Sequence, residues 1–172
     1  MARLPKQHRE LLAKQGVKVT FGHEVAHFNR KTGELAIATR TIPGEFIHEA
    51  GHAIEPYLKL YENSAFQKVL QNGIPEEEIG WMDFALENFG KVQIGYLDHP
   101  KVGKFISEYQ ARSYERDVWG RERFIERDGK EVFNVFTLGE YFAEGYRSFL
   151  LEPELLKRKD SMLYQFIKGL IE

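Results

Sequence analysis

The stretch of sequence that decides the fold runs from Pro43 to Tyr61 and reads PGEFIHEAGHAIEPYLKLY. Its apolar residues recur at three- and four-residue spacing, which predicts an α-helix with one buried face. Within it lies an H-E-x-x-H motif, from His48 to His52. Two positions four residues apart project from the same face of a helix, so these two imidazoles can bind one metal ion.

Three other residues of this stretch have expected roles. Glu49 follows the first histidine directly, which predicts a carboxylate beside the open position of the metal ion rather than on the metal ion. There it can take a proton from a metal-activated water and later pass it to a leaving amine. Gly51 lets a second backbone or a substrate approach the helix closely, and Pro56 is expected to kink or end the helix.

A second H-E-x-x-H, from His23 to His27, shows that the motif alone has limited specificity. It follows alternating residues at 17–21, which are typical of a strand, and it precedes a turn signal at 29–33. No helical turn is available to it. We therefore interpret His23 and His27 as ordinary loop or strand residues and the later copy as the metal site.

The composition is that of a folded protein, with 42% apolar and 13% aromatic residues among 172. A formal net charge of −2 and the absence of a basic run argue against nucleic acid or a membrane as partner. There is no cysteine, so a metal ion must be bound by histidine and carboxylate, as in catalytic sites. The first residues lack the apolar core of a signal peptide, so the compartment stays open: cytoplasmic as written, or secreted if a leader was removed.

The remaining periodicities predict an α+β fold, with a small N-terminal β-sheet over the motif helix and a mainly helical C-terminal part. We expect a helix at 7–14 and a hairpin of strands 17–21 and 34–39. If the second strand lies at the sheet edge above the motif helix, it can bind an extended peptide as an added strand; the alternative is a purely structural hairpin. Later in the chain we predict helices at 75–89 and 104–119 and a hairpin at 124–133.

A catalytic zinc site takes three protein ligands, so one must come from outside the motif. The best candidate lies in a predicted helix that carries Glu140 and Glu144, which are four residues apart and share a face. Two carboxylates placed together in an apolar setting are costly unless a cation or hydrogen-bond donors satisfy them. That cost is offset if Glu140 binds zinc and Glu144 accepts a hydrogen bond from the far N–H of a ligating histidine. The alternative is an exposed acidic edge of a helix.

Two motifs together point to a family. PGEFIHEAGHAI at 43–54, followed much later by EYFAEGYR at 140–147, resembles the catalytic domain of anthrax lethal factor and the related secreted Pro-Pro endopeptidases. The tail at 153–167 is similar to the end of that domain. The resemblance implies a zincin-like fold, a single metallopeptidase domain over residues 1–172, and a zinc metallopeptidase of the gluzincin type.

The same resemblance implies a role for each site residue. His48, His52 and Glu140 correspond to the zinc ligands. Glu49 corresponds to the general base, and Glu144 to the partner of a ligating histidine.

The chain departs from the family pattern at two places. Family members carry a tyrosine seven residues before the ligand glutamate, which supports the developing oxyanion; here that position is Phe133, which has no donor. Either another tyrosine, such as Tyr109 or Tyr114, takes that part, or turnover is poor or absent. The two motif helices are also farther apart than in the family, so we interpret a segment of about 72–124 as an insertion.

These observations predict a zinc-dependent endopeptidase that hydrolyses peptide bonds of an extended polypeptide substrate, with Zn²⁺ as its cofactor. Two alternatives stay open. One is an intracellular regulatory peptidase with a single protein substrate. The other is a non-catalytic module that retains the peptidase fold and binds zinc or a protein, which Phe133 favours.

Overall fold

The computed structural model describes residues 4–72, 79–86, 90–97, 103–107, 110, 124–127, 130–133 and 135–171. For the strands between residues 79 and 133, the description covers the backbone alone. The chain divides into two compact units, residues 1–59 together with 142–172, and residues 60–141. More of the described residues lie in helices than in strands, so the predicted α+β class is confirmed.

The elements have the following bounds along the chain: α1 (Lys6–Lys14), β1 (Lys18–His23), β2 (His27–Asn29), β3 (Glu34–Ala38), α2 (Pro43–Leu58), a short 3-10 helix (Leu60–Glu62), α3 (Ser64–Gln71), β4 (Ile79–Leu86), β5 (Gly90–Leu97), β6 (Phe124–Arg127), β7 (Lys130–Phe133), α4 (Val135–Leu151), α5 (Pro153–Lys159) and α6 (Ser161–Ile171). The motif helix is α2, and the helix with the two glutamates is α4. Both form where the 3.6-residue apolar period predicts them.

The N-terminal sheet has the strand order β1-β3-β2. The predicted pairing of strands 17–21 and 34–39 as a hairpin is wrong, because β1 runs parallel to β3 and the hairpin partner of β3 is the short strand β2. Strand β3 is therefore central. The proposal that it offers a free edge to a peptide is wrong too, since strands bond to it on both sides. Leu35 and Ile37 on β3 are buried.

The predicted helix at 75–89 is also wrong for the part that is described. Residues 79–86 form β4, which pairs with β5 in an antiparallel hairpin. The acidic residues at 76–78 resemble a helix start, but the alternating run from Val92 to Tyr96 supplies a strand partner. Cross-strand pairing within this hairpin overrides local helix propensity. The hairpin predicted at 124–133 is confirmed as β6 and β7.

In the second unit, a buried lysine terminates helix α3. The ammonium group of Lys104 donates hydrogen bonds to the carbonyl oxygens of Val69, Leu70 and Asn72 at 2.7, 3.0 and 2.8 Å. These carbonyls lie at the negative end of the helix, where a cation is favourable.

The helix predicted at 104–119 is not seen at residues 104–107, which are irregular. Of its remaining positions only residue 110, which is helical, is described.

Helices α2 and α4 approach each other closely at Gly51. A Cβ added to Gly51 would lie 2.9 Å from the Cα of Ala143 and 3.2 Å from its Cβ. Real Cβ atoms do not come so close to a backbone atom, so only glycine fits at this position. The sequence predicted that a second backbone or a substrate approaches α2 at Gly51, and the structure places the backbone of α4 there.

We expect Gly51→Ala to lower the free energy of unfolding by about 1–3 kcal/mol, because the added methyl must push α4 away. The measurement is urea denaturation followed by circular dichroism. Gly44→Ala is the matched control on the same helix, since a Cβ there meets its nearest side-chain atoms at an ordinary 3.6 Å. Equal stability of the two variants would contradict this account of the packing.

A buried histidine joins α1 to α4. The Nδ1 of His8 lies 2.8 Å from the hydroxyl oxygen of Tyr146, and both side chains are buried. Burial lowers the pKa of His8, opposed by a backbone hydrogen bond with Leu170, and burial raises the pKa of Tyr146. Both groups are therefore neutral in the folded protein near neutral pH.

The lowered pKa of His8 predicts a loss of stability in acid. Above pH 6.5 His8 is neutral in both the folded and unfolded states, and below it the unfolded state takes up the proton more readily. The free energy of unfolding therefore falls as the pH decreases from 6.5 towards the folded-state pKa. We expect His8→Gln to lose less stability than the natural protein between pH 7 and pH 5.5 in urea titrations. An equal loss would contradict the prediction.

Candidate metal centre

Helix α2 is built to present its two motif histidines at the border of a buried face. Its inward residues Ile47, Ala50 and Ile54 are at most 1% exposed. Pro43 is the first helical residue, where its missing N–H is not needed. The helix continues two residues past Pro56 and ends at Leu58. The positions of the two histidines are thus determined by a helix whose other face packs in the core.

The two imidazoles converge on one point. The Nε2 atoms of His48 and His52 are 3.1 Å apart, and the rings stand nearly perpendicular, at 79° with centroids 4.8 Å apart. Each ring thus directs the same atom, Nε2, towards the other. Two imidazole nitrogens placed this close together could share one cation.

A carboxylate from α4 completes the group. One ligand atom from each of His48, His52 and Glu140 lies within 4.8 Å of the others, and all three residues are partly exposed. Among the described residues, this is the group whose positions could hold a metal ion. Glu140 lies one helical turn before Glu144, so the two carboxylates share a face of α4. The three sequence-predicted ligands are therefore brought together, and they could hold a metal ion.

Glu144 lies behind the first histidine. Its Oε2 is 3.3 Å from Nδ1 of His48 and 2.6 Å from Nε of Arg147. A neutral His48 with its proton on Nδ1 donates to Glu144 and leaves the Nε2 lone pair for a metal ion. Arg147 is one turn later on α4 and donates to the same oxygen. Glu144 therefore fixes both the orientation and the tautomer of His48.

Glu49 faces the sheet. Its Oε2 accepts a hydrogen bond from the backbone N–H of Phe28, on β2, at 3.0 Å. Among the described residues, the group that could hold a metal ion does not include Glu49. The edge strand and the motif helix thus meet at this side chain.

The earlier H-E-x-x-H lies in the sheet, with His23 ending β1 and His27 beginning β2. The Nε2 of His23 is 2.8 Å from the hydroxyl of Thr20, which donates to Glu34 at 2.7 Å. These contacts are structural, and the metal-binding group of the described residues does not include this pair.

Two sets of predicted residues are not tested by the structure. Tyr109 and Tyr114 lie outside the described residues, and so does the side chain of Phe133.

Arg147 and Glu55 make contacts in the structure that the sequence analysis did not predict. Two signals in the sequence could have indicated them. Arg147 is a cation three residues after Glu144 on the same helix, and Glu55 is an acidic residue within the apolar face of α2.

Comparisons with known proteins add no further information. No protein-family model matches the sequence, and neither curated proteins nor solved structures give a match. Among the described residues, no helix has the length and apolar character needed to cross a membrane. The geometry of the site is therefore what bears on the function.

We expect Glu144→Gln to weaken metal binding by about 10–100-fold, because the amide no longer accepts a charge-assisted hydrogen bond from His48. The dissociation constant of Co²⁺ or Zn²⁺ is measured by competition with a chromogenic chelator. Glu154→Gln, an exposed carboxylate in the first turn of α5, is the control and should leave the constant unchanged. Unchanged affinity in Glu144→Gln would remove Glu144 from the site.

Proposed function

We propose that this protein is a zinc-dependent endopeptidase with a zincin-like site, in which His48, His52 and Glu140 bind the metal ion. The observation that carries the proposal is the convergence of these three side chains from helices distant in sequence. Structural zinc sites have four protein ligands, usually with cysteine, whereas three ligands of the His₂Glu type leave a position open for chemistry.

The donor atoms fit zinc. The Nε2 atoms of His48 and His52, 3.1 Å apart, are close enough for both to bind one zinc ion. Both nitrogens are neutral donors when the proton of His48 is on Nδ1, and Glu140 adds one negative charge. Zinc accepts this mixture of imidazole and carboxylate, whereas Mg²⁺ and Ca²⁺ prefer oxygen ligands.

When bound, zinc supplies a Lewis acid that polarises a carbonyl and lowers the pKa of a water. The residues of the chain supply the proton transfers. Glu49 takes the proton of the attacking water and returns it to the leaving amine, so one carboxylate serves as base and then as acid. The Phe28 N–H holds one oxygen of that carboxylate in place.

The substrate proposed is an extended polypeptide, which agrees with the family resemblance of the two motifs. In the N-terminal sheet, β1 and β2 are the outer strands. Phe28 on β2 directs its backbone N–H away from β3 and towards α2. An extended chain passing the site would therefore run beside this edge strand.

We expect Glu49→Gln to retain one zinc ion per chain and to lower the rate of peptide cleavage by about 10²–10⁴-fold, because the amide cannot accept the proton. Metal content is measured by mass spectrometry and cleavage by profiling a diverse peptide library. Glu45→Gln, one turn earlier on α2 and exposed, is the matched control and should keep both values. Near-natural turnover in Glu49→Gln would exclude Glu49 as the base.

Phe133 favours a second candidate, a non-catalytic zinc-binding or protein-binding module that retains the fold. A folded protein with one zinc ion per chain that cleaves nothing in the library, with or without chelator, would favour the module. Cleavage that stops on chelation and returns with zinc would favour the peptidase. An intracellular regulatory peptidase is distinguished by cleavage of a single protein rather than many peptides.

A further inference from the structure

Strand β2 is attached to the motif helix by two polar contacts. The first is the hydrogen bond from the Phe28 N–H to the carboxylate of Glu49, at 3.0 Å. The second lies two residues later, where the Nη2 of Arg30 donates to the Oε2 of Glu55. Both acceptors are on α2, six residues apart, so the two contacts follow the strand and the helix in the same direction.

The second contact is buried. The side chain of Glu55 is 0% exposed, while that of Arg30 is 33% exposed. A carboxylate removed from water requires a charged or hydrogen-bonding partner, so Arg30 is held at Glu55. Buried ion pairs often add little net stability compared with apolar side chains of the same volume, and specifying one arrangement is an alternative reason to keep them.

Strand β2 needs such an anchor. It is three residues long and, among the strands that the structure describes, it pairs with β3 alone, through His27, Phe28 and Asn29. A short edge strand opens easily, because few hydrogen bonds hold it. Arg30 immediately follows the strand and therefore limits how far the Phe28 N–H can move from Glu49.

We propose that Arg30 and Glu55 are positioning residues whose buried ion pair holds β2 against α2, so that the Phe28 N–H keeps the Glu49 carboxylate in its working orientation. The contribution to catalysis rests on the proposed peptidase function. The restraint on Phe28 does not, since it is a property of the folded chain. The two parts are therefore tested by different measurements.

The restraint is tested by amide hydrogen exchange of the ¹⁵N-labelled full chain. We expect the Phe28 amide to exchange at least about tenfold faster in Arg30→Gln and Glu55→Gln, with the amides of α4 unchanged. Arg30→Lys keeps the charge and should restore part of the protection. Glu10→Gln, which removes an exposed ion pair with Lys6, is the control and should leave Phe28 as in the natural protein. Unchanged Phe28 exchange in both Gln variants would overturn the proposal.

The catalytic part is tested by kinetics on the zinc-loaded protein. We expect kcat to fall about 10–100-fold in Arg30→Gln, with KM and zinc content changed by less than about twofold, because a misplaced base affects the chemical step. Faster Phe28 exchange with an unchanged kcat would overturn the positioning role. If Glu55→Gln does not fold, Arg30→Gln and Arg30→Lys decide, since Arg30 is partly exposed. If the natural protein cleaves no peptide, the proposed function fails, and the exchange experiment still tests the restraint.

Discussion

The close approach of helices α2 and α4 is the constraint on which the site depends. At Gly51 there is no room for a side chain, because the backbone of Ala143 occupies the space that a Cβ would take. This contact lies one residue from His52 and one residue from Glu144. A larger residue at this position would increase the distance between the axes of α2 and α4. The imidazoles on α2 would then lie farther from the carboxylates on α4. The absence of one methyl group therefore decides whether the donor atoms can meet.

The second level of organisation is electrostatic. Glu144 contacts both His48 and Arg147, so the orientation of the His48 imidazole depends on a carboxylate that is itself held by a guanidinium. Elsewhere on α2, Glu49 and Glu55 connect the helix to β2 and the residue after it. The position of helix α2 thus depends on polar contacts as well as on apolar packing.

Local patterns in the sequence predicted some parts of this structure, and long-range pairing determined the others. Helices α1 and α2 and the hairpin of β6 and β7 follow from periodicity and turn residues, which act within a few residues. The place of β3 at the sheet centre does not, because only three residues form β2 and their pattern is too short to indicate a strand. The strand pair β4–β5 likewise replaced an expected helix.

The site divides in the same way. The i, i+4 pairs His48/His52 and Glu140/Glu144 can be placed on helix faces from their spacing alone, whereas that spacing does not determine how closely the two faces approach. Contacts such as Phe28 with Glu49 involve a backbone N–H, which carries no sequence signal at all. Arg30 and Glu55 are ordinary charged residues in the sequence, and only the packing of β2 on α2 makes them partners.

The salt bridge between Arg147 and Glu144 has a consequence for the total charge at the site. Within the described part of the chain, Arg147 pairs with Glu144 on the oxygen that also lies 3.3 Å from the Nδ1 of His48. The formal charges of the guanidinium and the carboxylate cancel each other. Glu144 can therefore orient the imidazole without adding net negative charge beside it.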